Sequence, residues 1–179
     1  RGTFIINGTE RVVVSQLARS AGVYFSSDLS SPGQETYAAK LIPDRGAWLE
    51  FDLTPSEFLS VKIDNRKKIP VTMFLKALGV PTDDELLRLF GATVEEVDVV
   101  EEDVRGMLLA EPIVGSDGRV IFHKNDRITK EHLDELWKQG RTRVAVWRVD
   151  HSVAETLEKD PTSSTDEAML EIFRRLKPN

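Results

Sequence analysis

The sequence predicts an α+β fold: a mixed or antiparallel sheet with short helices, carrying a small inserted β-rich module. Three observations lead there. Asn7-Gly8 lies between two short apolar runs, the strongest local signal for a β-hairpin. Apolar and polar residues alternate strictly over residues 48–53 and again over Leu59–Ile63. From residue 70 onward, short apolar-periodic segments are bracketed by capping residues and glycines.

Taken in order, Thr3–Ile6 and residues 11–14 are the hairpin arms, because Asn and Gly tolerate the positive φ angles of a tight turn. Asn7-Gly8-Thr9 also matches a glycosylation sequon, but no secretion signal precedes it and the turn is the preferred reading. Residues 23–25 and 37–42 read as further strands, separated by a loop over 26–35 rich in Ser, Asp, Pro and Gly. In 48–53, the core claims Leu49, Phe51 and Leu53; Trp48 then shares the other face with Glu50 and Asp52 and is expected to be part-exposed. Leu59, Val61 and Ile63 repeat the pattern, leaving Ser60, Lys62 and Asp64 on the polar face.

Pro70 suits a first helical position, and a helix over 71–78 stops at Gly79. Thr82 and Glu85 form a capping pair for a second short helix that ends at Gly91. Beyond Val97 the pattern becomes a strand over 107–113, a turn at Asp117-Gly118, a return strand over 119–123, a Thr129-capped helix over 130–139 and a strand over 143–149. A last helix, Thr165–Leu176, has Ser164 and Glu167 as its capping pair and a stripe of Ala168, Met169, Ile172, Phe173 and Leu176. The expected organisation is a core over 1–97, an inserted module over 98–150, and a returning core segment over 151–179.

Composition excludes several classes. The chain is 40% hydrophobic and 30% charged over 179 residues, which is globular rather than disordered or fibrous. It has no cysteine, which rules out disulfides and thiolate metal sites and fits a reducing cytosol. No apolar run approaches the ~18 residues of a membrane span. Arg1 at the start and Lys177-Pro178-Asn179 after a helix read as cut points within a longer chain. A net charge of −6 argues against a free-standing nucleic-acid binder, since phosphate neutralisation supplies most of such a protein's affinity. Basic clusters at Arg66-Lys67-Lys68 and at Arg174-Arg175 with Lys177 could still give a part of a larger machine a local DNA-facing patch.

No active site is readable. His123, His132 and His151 lack metal-ligand spacing, and there is neither a Gly-rich phosphate loop nor a nucleophile-elbow sequence. The acids crowded between Asp83 and Asp103 fall at helix starts, where carboxylates favour the dipole, or in a charged linker. The candidates for contact are Trp48, placed to stack on an unpaired base or else to lie along a sheet edge, and Arg11 and Arg19, which either bind phosphate or solvate the surface.

The run Gly2-Thr3-Phe4-Ile5-Ile6-Asn7-Gly8-Thr9-Glu10-Arg11-Val12-Val13-Val14-Ser15-Gln16-Leu17, continuing Arg19-Ser20 and Gly22-Val23-Tyr24-Phe25, closely resembles the β subunit of bacterial DNA-directed RNA polymerase, where the chain enters the subunit's lobe. Leu41-Ile42-Pro43 with Arg45-Gly46-Ala47-Trp48-Leu49-Glu50-Phe51 is similar to the family's next motif. So are Val61-Lys62-Ile63-Asp64 and Arg66-Lys67-Lys68-Ile69-Pro70-Val71-Thr72, and the closing Ile172-Phe173-Arg174-Arg175-Leu176-Lys177-Pro178. The resemblance is close over 2–79, faint over 92–150, where it looks like a lineage-specific insertion, and intermediate over 151–179.

The resemblance implies a part of a nucleotidyltransferase that lines the downstream DNA cleft and touches the melted non-template strand. A Trp there stacks on a base beside a pocket for an unpaired guanine. It maps to Trp48 through Arg-Gly-x-Trp; pocket residues map to Arg19 through Arg-Ser-x-Gly and to Asp64 through Ile-Asp. Lys177 stands where the family has Arg, keeping the charge but losing the bidentate fork. Ala18 and Ala21 replace the family's His and Pro, which frees the backbone beside Arg19. The hairpin also contributes Arg11, Val14 and Gln16 to an inhibitor pocket of the rifamycin type, most of which lies elsewhere. The implied partners are the β′, α and σ subunits and DNA, in the cytoplasm at the nucleoid, without a membrane. The magnesium of catalysis is bound by another subunit, so this chain has no cofactor and is not catalytic alone. The alternative reading is a protein-interaction module on which a transcription regulator docks.

Overall fold

A computed structural model of the chain describes residues 2–30, 33–54, 56, 58–100 and 104–176. The first element is the expected hairpin, β1 (Thr3–Ile6) and β2 (Thr9–Val12). Asn7 and Gly8 both take positive φ, 50° and 76°, which matches the right-handed twist of the arms. Val13 and Val14 lie beyond the paired strand.

Five antiparallel strands follow as a meander: β3 (Gly22–Ser30), β4 (Gln34–Ile42), β5 (Leu49–Leu53), β6 (Leu59–Ile63) and β7 (Ile69–Pro70). β3 and β4 run further than the sequence suggested. The stretch expected to be a loop over 26–35 is mostly paired, with Asp28 opposite Thr36 and the Thr36 hydroxyl donating to Asp28 O at 3.0 Å. Both arms are largely exposed there, so no apolar face was required and the alternation that marks a strand is missing.

One face of this sheet is covered by α1 (Val71–Ala77) and α5 (Thr165–Leu176), the final helix. Val61, Ile69, Met73 and Ala168 are fully buried between them, joined by Leu49, Phe51, Phe74 and Ile172. Phe51 meets Phe74 edge-on with centroids 6.2 Å apart. The helices cover β5 to β7 and leave Val23, Phe25, Leu29 and Tyr37 of β3 and β4 exposed. Pro70 is the N-cap of α1 rather than its first helical residue, and it also ends β7 opposite Ser60. Its missing N–H costs nothing in either role. Ser60 is on the predicted face but is buried, its hydroxyl donating weakly to Asp52 O at 3.4 Å.

The helix α2 (Asp83–Leu89) is capped by Thr82, which accepts from Glu85 N–H at 3.3 Å. It leads into a three-stranded antiparallel sheet ordered β8 (Thr93–Asp98), β12 (Arg143–Arg148), β9 (Leu108–Leu109). The boundary drawn at residue 98 thus falls at the end of a strand paired to β12. The strand expected over 107–113 is broken into β9 and β10 (Ile113–Val114), with Pro112, which cannot donate to a ladder, between them. β10 pairs with β11 (Val120–Phe122), and α3 (Lys130–Lys138) packs Leu133 and Leu136 against Leu109, Ile113, Ile128 and Val146. Helix α4 (His151–Glu158) joins Trp147, Leu86 and Leu87 in a further cluster. It also reaches the main sheet, where buried Thr156 accepts the Leu59 N–H at 2.9 Å.

Two polar sites lock these parts together. Lys76 of α1 is 1% exposed; its ammonium donates to Thr162 O and lies 2.8 Å from Asp83 Oδ1 and 3.1 Å from Asp160 Oδ2. The aligned hydrogen bond goes to the carbonyl, while the two carboxylate oxygens are held by ion-pair distance alone. Asp160 Oδ1 in turn accepts from the Thr162 N–H and hydroxyl. Farther along, Asn125 Oδ1 accepts from the buried Trp147 Nε1–H at 2.9 Å, and Lys124 pairs with Asp84.

Candidate nucleic-acid interface

Trp48 directly precedes β5, which starts at Leu49, and is 43% exposed. The alternation deduced from sequence holds: the register puts Trp48, Glu50 and Asp52 on the face opposite Leu49 and Phe51. Its carbonyl accepts the Asp64 N–H at 2.9 Å, which continues the ladder of β5 and β6 by one pair.

Asp64 and Asn65 form the centre of a tight turn, with φ of 50° and 61° and Arg66 N–H donating to Ile63 O at 3.1 Å. Successive left-handed residues define a type I′ turn, and Asp and Asn are among the few non-glycine residues that enter that region readily. The Asp64 position is therefore fixed by a turn on one side and by Trp48 on the other. Arg66 Nη1 donates to Leu176 O, bringing the carboxyl end of α5 to the same turn. Lys177, the next residue, lies outside the described residues.

Arg19 approaches from the opposite edge of the sheet. Its guanidinium carbon is 5.7 Å from the centroid of the Tyr24 ring, and the Tyr24 hydroxyl donates to Ser20 O at 2.9 Å. Tyr24 stands opposite Lys40, Lys40 opposite Glu50, and Glu50 opposite Lys62, one row across four strands. The Lys40 ammonium is 2.5 Å from Glu50 Oε1 and 5.3 Å from the centroid of the Trp48 ring. Arg19 thus lies against Tyr24, Tyr24 is the register partner of Lys40, Lys40 approaches the Trp48 ring, and Trp48 meets Asp64 through the backbone.

Of the residues singled out from sequence, Trp48 and Asp64 share a backbone hydrogen bond, and Arg19 lies against Tyr24, whose register partner Lys40 approaches the Trp48 ring. Arg11 sits in β2 of the separate hairpin, opposite Phe4, whereas Val14 and Gln16, expected on the hairpin, are exposed in the unpaired segment after it. Sequence reasoning missed Lys40, which carried no signal until the register placed it beside Glu50. In the basic cluster read from sequence as a possible DNA-facing patch, Arg66 ties the turn to α5 and Lys68 pairs with Asp52 at 3.0 Å. Among the described residues, no group of three or more His, Asp or Glu side chains is arranged to hold a metal ion, and no helix is long and apolar enough to cross a membrane. What the arrangement offers chemically is a half-open indole, flanked by a carboxylate and cations on a rigid sheet: a surface for an unpaired base and its phosphates.

The sequence that builds this face has known relatives. Residues 19–108, half of the chain, match the family model for RNA polymerase Rpb2, domain 2, a range that contains Arg19, Lys40, Trp48 and Asp64. The chain is 36% identical over 200 residues to the DNA-directed RNA polymerase subunit beta of Fusobacterium nucleatum, covering 99% of this chain and 17% of that protein. It is 34% identical over 203 residues to the subunit of the same name from Porphyromonas cangingivalis, covering 98% of this chain and 16% of that protein. The chain therefore belongs to the RNA polymerase β-subunit family and contains its Rpb2-type second domain. It spans about one sixth of the length of the curated relatives it matches.

Proposed function

We propose that this chain is the lobe region of the β subunit of a DNA-dependent RNA polymerase, where it lines the downstream DNA cleft and holds the unpaired non-template strand. The observation that carries the reading is the exposed Trp48 ring, with the Lys40 ammonium 5.3 Å from its centroid, its backbone carbonyl accepting the Asp64 N–H, and Arg19 set against Tyr24, the register partner of Lys40. An unpaired base stacks on the indole, Asp64 offers acceptors to a neighbouring base edge, and Arg19 supplies positive charge. In this role the overall charge of −6 is no obstacle, because other subunits carry most of the phosphate contacts.

The whole enzyme extends RNA by nucleotidyl transfer with the β′, α and σ subunits in the cytoplasm at the nucleoid. Its magnesium belongs to another subunit, and this chain contributes grip rather than bond chemistry. The partition into 1–97, 98–150 and 151–179 goes with this reading: the first and last segments share the α1–α5 core, and most of the middle segment packs around Leu109, Leu133 and Leu136.

The test is Trp48→Ala in polymerase assembled with the full β subunit, on promoter DNA carrying 2-aminopurine in the non-template strand. Stacking on Trp48 quenches the probe, and the substitution should restore its fluorescence and weaken the open complex by about 1–3 kcal/mol, the usual value of one base–aromatic stack. Unchanged fluorescence at every unpaired position would remove the reading.

A further inference from the structure

We propose that Lys40 is a positioning residue for Trp48, held in place by Glu50; this rests on the reading of Trp48 as a base-stacking platform. An exposed indole at the end of a central strand can turn about two side-chain torsions, and a base can stack only on a ring held at one tilt with one face free. The Lys40 ammonium occupies a position 5.3 Å from the Trp48 centroid. Glu50, directly opposite Lys40 in the register, fixes that ammonium at 2.5 Å. Both side chains are partly shielded, 32% and 23% exposed, so water competes less with the pair than at a free surface.

The cation attracts the π cloud and so favours the tilt that presents one ring face to it. The other face is left for the nucleotide. Glu50, Lys40 and Trp48 form a stack anchored on two neighbouring strands. The same row extends to Tyr24, opposite Lys40, and through it to Arg19. A change at Lys40 should therefore be felt at the base even though Lys40 need not touch it.

The experiment uses polymerase containing the full β subunit and the same 2-aminopurine promoter. Four substitutions are compared: Trp48→Ala, Lys40→Met, Lys40→Arg and Glu50→Gln. Lys40→Met keeps the aliphatic stem and removes the charge. It should reduce quenching and shorten the lifetime of the open complex about two- to five-fold, the equivalent of one exposed cation–π contact. Lys40→Arg should recover most of the loss, because a guanidinium also sits over an indole and pairs with a carboxylate. Glu50→Gln should move both readouts in the direction of Lys40→Met.

Wild-type behaviour of Lys40→Met, alongside loss of quenching in Trp48→Ala, would overturn the role of Lys40 while leaving the platform standing. Equal losses in Lys40→Met and Lys40→Arg would overturn it as well, since packing rather than charge would then set the ring. An unaffected Trp48→Ala enzyme would remove the platform and Lys40's role together.

Discussion

Replacing Lys76 by Met should destabilise the fold more than any surface substitution in the chain. The Met stem fills the same volume, so the effect isolates the charge. Lys76 is 1% exposed and faces the side chains of Asp160, which is 0% exposed, and Asp83, which is 34% exposed. With an effective dielectric constant of ~20, a unit pair separated by about 3 Å attracts by roughly 5 kcal/mol before desolvation is subtracted. Water can take over most of the Asp83 share. Asp160 has no such recourse, and its carboxylate would be left buried without a cation. The expected loss is about 3–5 kcal/mol, as for other buried pairs broken on one side.

Equilibrium urea denaturation of the chain, followed by tryptophan fluorescence, measures the loss as a fall in midpoint at constant slope. A companion, Lys76→Met with Asp160→Asn, removes both charges while leaving an acceptor for Thr162, and should regain most of the stability. A loss below about 1 kcal/mol for the single variant, or a double variant no better than the single, would refute the reasoning.

Two further outcomes follow from other sites. His132 is 8% exposed, stacks on Phe122 with centroids 3.8 Å apart and accepts the Thr129 N–H at Nδ1; burial holds its pKa below the ordinary histidine value, against the pull of Asp126 and Glu131. Because the folded pKa is depressed, the unfolded chain protonates first. His132's contribution is therefore full above the unfolded value of about 6.5 and is lost as the pH falls below it, so the urea midpoint should drop as the pH is lowered through about 6.5, and less so in His132→Gln. Asp150, held low by Ser152, and Glu167, held low by Ser163, lose their contributions only in the carboxylate range at lower pH, which keeps the two windows apart. At the turn, Asp64→Val should cost about 1–2 kcal/mol, because a β-branched residue resists the left-handed region, whereas Asp64→Gly should hold the fold within about half of that in the same denaturation assay.

Local chemistry was legible wherever it acts through neighbours in the chain. Asn7-Gly8 specified its turn, Thr82 its cap, and the alternation after Trp48 placed that ring on the polar face. The paired part of residues 26–35 was not legible, because strands solvated on both faces need no apolar period. Lys40 and Glu50 are ten residues apart and meet only through the register of β4 and β5. The burial of Lys76 was hidden for the same reason: its partners Asp83 and Asp160 come from other elements, and a charged residue on a short helix reads as solvated until those elements close over it. Of the proposed site, Trp48, Arg19 and Asp64 were singled out in the sequence, while the Lys40–Glu50 pair beside the Trp48 ring was not.

The covering of β5 to β7 by α5 also bears on how the protein is made. The helix that seals Val61 and Ile69 is encoded about 100 residues after them; at ~5–20 residues per second, a ribosome takes roughly 5–20 s to deliver it. Through that interval the nascent sheet has only α1 over its oily side, and chaperones that bind uncovered apolar surface have their opportunity there. A stall between the two segments should turn a folding intermediate into an aggregate.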